Sequence, residues 1–313
     1  MARTVKEIVE HGRQFNIPMT VPGAMHQEYR ENYLAATCST GRLFLFAGDQ
    51  KIEHLNKDFY GKNISNEAGL PEHLFEIASK SRIGIFATQL GMIARYGHDY
   101  RSVFYLVKMN SKTDFIPVTQ QDPCSLMLNS VEQVIDFKKR TGIPILGVGY
   151  TLYLGSSYES QMLQEASRLV YEAHAHGLIV VLWCYPRGKA VPNERDANVI
   201  AGAAGVATCL GADFVKINVP EAADSFKQAE LLVQATRAAG NTKVVCSGGG
   251  LIGEEDFLAS LYHQIHSGGV SGAAIGRNIH QKTLVQAINF SNAVAAIIFD
   301  DAYVDDAKKL LGR

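Results

Sequence analysis

Residues 179–188 read IVVLWCYPRG, and this stretch decides the fold. From Ile179 to Tyr185 the residues are apolar without interruption. Continuous rather than alternating hydrophobicity marks a strand buried on both faces, as in a parallel sheet covered by helices. Similar runs recur on either side, beginning near Leu43 (LFLFAGDQ), Ile83 (IGIFATQ), Phe104 (FYLVKMN), Ile145 (ILGVGYT), Phe214 (FVKIN), Val244 (VVCSGGG) and Gly272 (GAAIGRN). Their mean spacing is about 33 residues, the length of one βαβ unit. Between the runs lie amphipathic segments. Glu159 to His176 places Met162, Leu163, Ala166, Leu169, Val170 and Ala173 at helical spacing and stops at Gly177. Ser225–Ala239, Glu254–His266 and Gln281–Ile298 read the same way, whereas GMIARYGHDYRSV, between the second and third runs, is too short to predict a helix. Eight strands with helices between them favour an α/β fold of the (β/α)8 TIM-barrel type over an open doubly wound sheet. Residues 1–40, with a helical signal over His26–Thr37, form an N-terminal helical extension, and residues 41–313 form the barrel.

Composition narrows the function classes. The chain has 313 residues, 47% of them hydrophobic and 19% charged, enough for a large core and far from a disordered composition. Thirty Lys and Arg against 31 Asp and Glu give a formal net charge of −1, with no basic excess for a nucleic acid. The start of the chain, MARTVKEIVEHGRQFNIP, has no apolar signal-peptide core, and no apolar run approaches the roughly 20 residues of a bilayer span. A soluble, cytoplasmic protein without membrane or nucleic-acid partners is expected. Cys38, Cys124, Cys184, Cys209 and Cys246 are odd in number and form no CxxC pair, so free thiols are expected.

A barrel of this kind concentrates function at the C-terminal ends of its strands. Asp49 ends the first run, Lys108 lies in the third, and Ser247-Gly248-Gly249 and Gly276-Arg277 end the last two. The period of two places Trp183, Tyr185 and Arg187 on one side of their strand, and Phe214, Lys216 and Asn218 on one side of the next. A lysine embedded in a five-residue strand must find a partner or lose its proton. A desolvated lysine near a second cation becomes the neutral amine that attacks a carbonyl to form a Schiff base; Lys108 and Lys216 are placed to meet in the mouth and depress one another, the alternative being a lysine paired to a carboxylate such as Asp49. Tyr185 is placed to shuttle protons. The glycine-rich ends, with Arg277, are suited to phosphate. Metal chemistry is not expected: no HExxH motif occurs, and His174 and His176 are read as favourable charges near a helix C-terminus. His54 is the one histidine placed near the site. A phosphate-binding barrel without catalysis, acting as sensor or scaffold, is the reading from a different class; Lys216 and Tyr185 argue against it.

The stretch from GVGYTLYLGSSYES to CLGADFVKIN, residues 147–218, resembles the archaeal-type class I fructose-bisphosphate aldolases of the DhnA-like superfamily, and the SGGG and IGRN ends extend the resemblance through most of the barrel. It implies a metal-independent, cofactor-free aldolase of glycolysis and gluconeogenesis acting on a phosphorylated sugar. The Schiff-base lysine falls on Lys216, the proton-transferring tyrosine on Tyr185, the WxYxR pattern on Trp183, Tyr185 and Arg187, and the acid that handles the carbinolamine on Asp49. His54 falls on an active-site position and Lys108 on a strand-three lysine. Where many relatives follow the acid with His-Gly, this chain reads Gln50-Lys51. The resemblance leaves open other enzymes of the superfamily, such as a hept-6-ulosonate synthase or a phosphopentanedione thiolase. It also implies a homo-oligomer, relatives forming rings such as decamers.

Overall fold

A computed structural model describes residues 16–250 and 252–312. Eight parallel strands close into a barrel in sequence order: β1 Leu43–Ala47, β2 Ile85–Thr88, β3 Tyr105–Lys108, β4 Ile145–Leu154, β5 Ile179–Pro186, β6 Phe214–Ile217, β7 Lys243–Ser247 and β8 Gly272–Ile275. Closure is made by β1 and β8, where Leu43 pairs with Gly272 and Phe46 with Ile275. Gly272 has a φ of +125°, and a Cβ there would sit 2.0 Å from the Leu43 carbonyl oxygen, so only glycine permits the seam.

Alternation along the strands sorts two cores. Val180, Leu182, Cys184, Val215 and Ile217 pack outward against the helices. Val181, Trp183, Phe214, Val245 and Ala274 fill the barrel interior. Inside, Gly149 leaves the space that Trp183 takes: a Cβ there would lie 2.4 Å from the indole ring. The polar face of β6 therefore opens into the barrel, as period two requires.

The expected helices form at Glu159–Ala175, Ser225–Ala239 and Glu254–His266. The segment expected to be too short for a helix does form one, Leu90–Tyr96, because seven residues suffice when Ile93 is buried against the barrel. The helix expected over Gln281–Ile298 forms as Leu284–Asp300, started by a capping box in which Thr283 and Gln286 satisfy each other's backbone amides, and a separate short helix, Arg277–His280, precedes it. Helix α1, His26–Ala36, covers the N-terminal end of the barrel. Its Tyr33 ring stacks on Phe214 at 5.5 Å, and the Tyr29 hydroxyl bonds Asp213 just before β6. His174 is drawn into the same cluster. It is fully buried between Thr20 (2.6 Å) and Asp213 (3.1 Å), so its place is set by these tertiary hydrogen bonds rather than by charge at an exposed helix end. No helix among the described residues is long and apolar enough to cross a membrane.

Candidate active site

The opposite end of the barrel holds a cleft lined by the C-terminal ends of β1, β5, β6, β7 and β8. Of the residues expected in a site, Asp49, His54, Trp183, Tyr185, Arg187, Lys216, Ser247, Gly248, Gly249, Gly276 and Arg277 all line it. Strand register explains the gathering. Trp183 pairs with Lys216 across β5 and β6, and Tyr153 with Tyr185 across β4 and β5, so paired side chains share one face of the sheet.

Lys108 is the exception. It is 1% exposed and does not line the cleft, its ammonium donating to the Asn110 carbonyl (2.8 Å) and side-chain oxygen (3.2 Å). From there it acts on its neighbour. The Lys108 and Lys216 nitrogens lie 5.2 and 5.4 Å from the centroid of the Trp183 ring. The indole thus sits against both cations, and its π electrons partly compensate their burial. Burial pushes Lys216 down to about 8; Lys108 and Arg277 push the same way, while Asp49 and Glu53 pull back. A lysine at that value is neutral in about one molecule in ten at pH 7. Burial lowers Lys108 as well, opposed by Asp49 and Glu53.

Around the amine stand two acids and a phenol. Asp49 is 5% exposed, and its Oδ1 has no hydrogen-bond partner among the described residues, leaving a buried acceptor for a bound molecule. Tyr185 is held well above the usual phenol range by burial first and then by the charges of Asp49 and Glu53, so it is a hydroxyl donor at neutral pH. Glu53 was not singled out by the sequence. It accepts the Tyr153 hydroxyl at 2.6 Å and lines the cleft beside His54. Its signal was the four-residue spacing from Asp49, which one helical turn, Gln50–Glu53, converts into a shared face. Asn218, on the Lys216 face of its strand, and Asn278 line the cleft as well, though sequence reasoning assigned neither a role. Asn218 accepts from Ser247 at 3.1 Å, and Asn278 donates to the carbonyls of Gly248 (2.9 Å) and Gly250 (3.1 Å).

On the β7–β8 side, Gly249 adopts a φ of +65° and the loop is held from below by Asn278. Arg277 donates to the Gly249 carbonyl at 3.0 Å and lies 3.8 Å from Asp58. Asp58 in turn bonds His54 at 2.6 Å. That bond raises the His54 pKa against the opposing effect of burial, with the charges of Asp58, Glu53 and Asp114 adding to it. Gln50, the residue at the departure from the family pattern, lies 3.1 Å from the buried His280 ring and packs on the Cα of Gly276. It occupies cleft wall that a side chain at Gly276 would need.

In chemical terms, the arrangement offers a partly neutral buried amine, an unpartnered carboxylate, a protonated phenol and a glycine-rich cradle with an arginine. Carbonyl capture next to an anionic group is what these can do together.

Residues 43–282 match the family described as DeoC/LacD family aldolase. Over 301 residues, 95% of this chain and 94% of the relative, the sequence is 52% identical to a fructose-bisphosphate aldolase/6-deoxy-5-ketofructose 1-phosphate synthase of Methanocaldococcus jannaschii. A class 1 fructose-bisphosphate aldolase of Halobacterium salinarum is 32% identical, covering 87% of this chain and 95% of its own. Among solved structures, a fructose-bisphosphate aldolase from Slackia heliotrinireducens superposes with a TM-score of 0.93 at 50% identity, covering 95% and 94% of the two chains. An archaeal fructose-1,6-bisphosphate aldolase whose catalytic lysine is covalently bound to the carbinolamine intermediate superposes with a TM-score of 0.74 at 30% identity, covering 87% of this chain and 99% of its own.

Proposed function

The chain belongs to the DeoC/LacD aldolase family, and on that premise we propose that it is a class I fructose-bisphosphate aldolase whose Schiff-base lysine is Lys216. The observation that carries the assignment to Lys216 is its position in the cleft, buried yet lining it, with its pKa brought down to about 8. The reaction is the reversible cleavage of fructose 1,6-bisphosphate to dihydroxyacetone phosphate and glyceraldehyde 3-phosphate.

Neutral Lys216 attacks the C2 carbonyl, and the carbinolamine loses water to leave a protonated imine. The C4 hydroxyl gives up its proton as the C3–C4 bond breaks, and the electron pair of that bond flows into the imine to form an enamine. Glyceraldehyde 3-phosphate leaves. Protonation of the enamine at C3 and hydrolysis release dihydroxyacetone phosphate and the free amine. Asp49, with its unpartnered buried oxygen, takes and returns the protons of the carbinolamine. Tyr185, held protonated, donates to the aldehyde oxygen during condensation; in cleavage it takes the C4-hydroxyl proton as its own passes to Asp49, left ionised when it protonated the water leaving the carbinolamine. Trp183 lies against both lysines as a flat wall. Ser247, Gly248, Gly249, Gly276 and Arg277 hold the phosphate nearest the lysine, because β7 and β8 follow β6 around the barrel.

The name of the relative at 52% identity favours a second acceptor. Disconnecting 6-deoxy-5-ketofructose 1-phosphate between C3 and C4 gives dihydroxyacetone phosphate and 2-oxopropanal, so the same enamine serves both products. Of the extension 1–40, helix α1 closes the far end of the barrel, residues 1–15 lying outside the described residues, and residues 41–313 carry the catalysis. Assembly into a homo-oligomer in the cytoplasm completes the reading.

The test is trapping. Borohydride added to the protein with dihydroxyacetone phosphate should leave a stable adduct on the peptide containing Lys216. A label on Lys108, or no label, overturns the assignment.

A further inference from the structure

The two sides of Lys216 are not equivalent. Strand order puts β7 and β8, with the glycine-rich cradle and Arg277, on one side, and β5 and β4 on the other. On the β5 side the one cation lining the cleft is Arg187. Its guanidinium lies over the rings of Tyr185 (5.6 Å) and Tyr153 (5.9 Å), and Tyr153 carries Glu53 on its hydroxyl. Arg187 is already engaged by an anion. Both carboxylate oxygens of Glu194, from the loop between Pro186 and Ala197, accept from its Nε at 3.1 and 3.0 Å. The pair is partly exposed, with side-chain exposures of 28% and 36%, so it can open without unfolding the strand beneath.

A bisphosphate bound through C2 to Lys216 sends one phosphate toward Arg277 and the other past Tyr185 toward Arg187. There it meets one guanidinium and two carboxylates, Glu53 and Glu194. An aldehyde without phosphate meets the same groups at no electrostatic cost. We propose that Glu194 is an internal substitute for the distal phosphate on Arg187, and that Glu194 and Arg187 together set the preference between phosphorylated and phosphate-free acceptor aldehydes. This rests on the aldolase reading above and assigns the specificity of its second half-site.

The full-length protein tests it through kcat/KM for cleavage of fructose 1,6-bisphosphate and of fructose 1-phosphate, which differ only in the distal phosphate. Glu194→Gln frees the guanidinium and should lower KM for the bisphosphate about tenfold, the scale of one charge-assisted hydrogen bond gained. Cleavage of fructose 1-phosphate should stay within about twofold of the wild type. Arg187→Met should erase any preference for the bisphosphate. If Glu194→Gln instead raises KM for the bisphosphate, Glu194 orients Arg187 for phosphate and the proposal is wrong. Equal changes for both substrates, or no change for either, overturn it too. Borohydride trapping with dihydroxyacetone phosphate, which needs only the β6–β8 side, is run on every variant. Labelled Lys216 with unchanged selectivity sinks this inference alone, whereas absence of label from the wild type sinks the aldolase reading itself.

Discussion

Replacing Lys108 by methionine removes a charge from beside the Trp183 ring while keeping a long unbranched side chain in the same space. Because both lysine nitrogens lie close to the Trp183 centroid, they can be no more than roughly 11 Å apart. At an effective dielectric constant of about 20, two unit charges at that separation repel by about 1.5 kcal/mol, and more if they are nearer. That energy corresponds to about one pKa unit on Lys216. Burial lowers Lys108, but two oxygens of Asn110 accept from its ammonium, and Asp49 and Glu53 favour the protonated form that the coupling requires. The sign follows directly. Lys216 lies at about 8 with the neighbouring cation present, and without it the value should rise to about 9. The neutral fraction at pH 7 then drops from about one in ten to about one in a hundred, and imine formation slows about tenfold. The assay is the rate of borohydride-trapped imine formation with dihydroxyacetone phosphate across pH, whose acid limb reports the amine. An acid limb that stays put, or moves to lower pH, in a variant with native circular dichroism would refute the coupling.

Three further outcomes follow from the contacts. Tyr185→Phe should still form the trapped imine but lose about 10²–10³-fold in cleavage kcat, since imine formation does not need the phenol and proton transfer at the C4 oxygen does; equal loss in both steps would place Tyr185 elsewhere in the reaction. Asp58→Asn removes the strongest influence raising His54, so the His54 midpoint, followed by proton NMR, should fall and its charge be lost at lower pH than in the wild type; an unmoved midpoint would deny that bond its role. Tyr29→Phe leaves one oxygen of buried Asp213 without its donor at the far end of the barrel, costing about 1–3 kcal/mol and lowering Tm by a few degrees, with kcat unchanged. A fall in kcat would mean that the closed end of the barrel communicates with the cleft.

Much of this molecule is local enough to read in one dimension. Runs such as IVVLWCYPRG and FVKIN are strands because their apolar faces leave no side for water, and period two then places Tyr185 and Lys216 on the inner face. The cleft residues contributed by strand ends were therefore visible in advance. The residues that brace the cleft from outside its lining were harder to see. Glu194, Asp58 and Tyr153 matter through partners 7, 219 and 100 residues away, and sequence spacing carries no record of such meetings. His174 failed for the same reason. Its place near a helix end suggested a surface charge, but Asp213 and Thr20 reach it from 39 and 154 residues away and bury it.

The two lysines mark the boundary most clearly. Sequence alone determined that each lies in a buried strand and that one of them has to be perturbed, because an ammonium in a parallel barrel has lost its water. It could not determine what each ammonium would meet. The closed barrel decides that: Lys108 donates to Asn110 and stays out of the cleft lining, Lys216 lines the cleft, and both lie against Trp183. Partners of this kind are brought together by all eight strands closing, so no single strand can specify them.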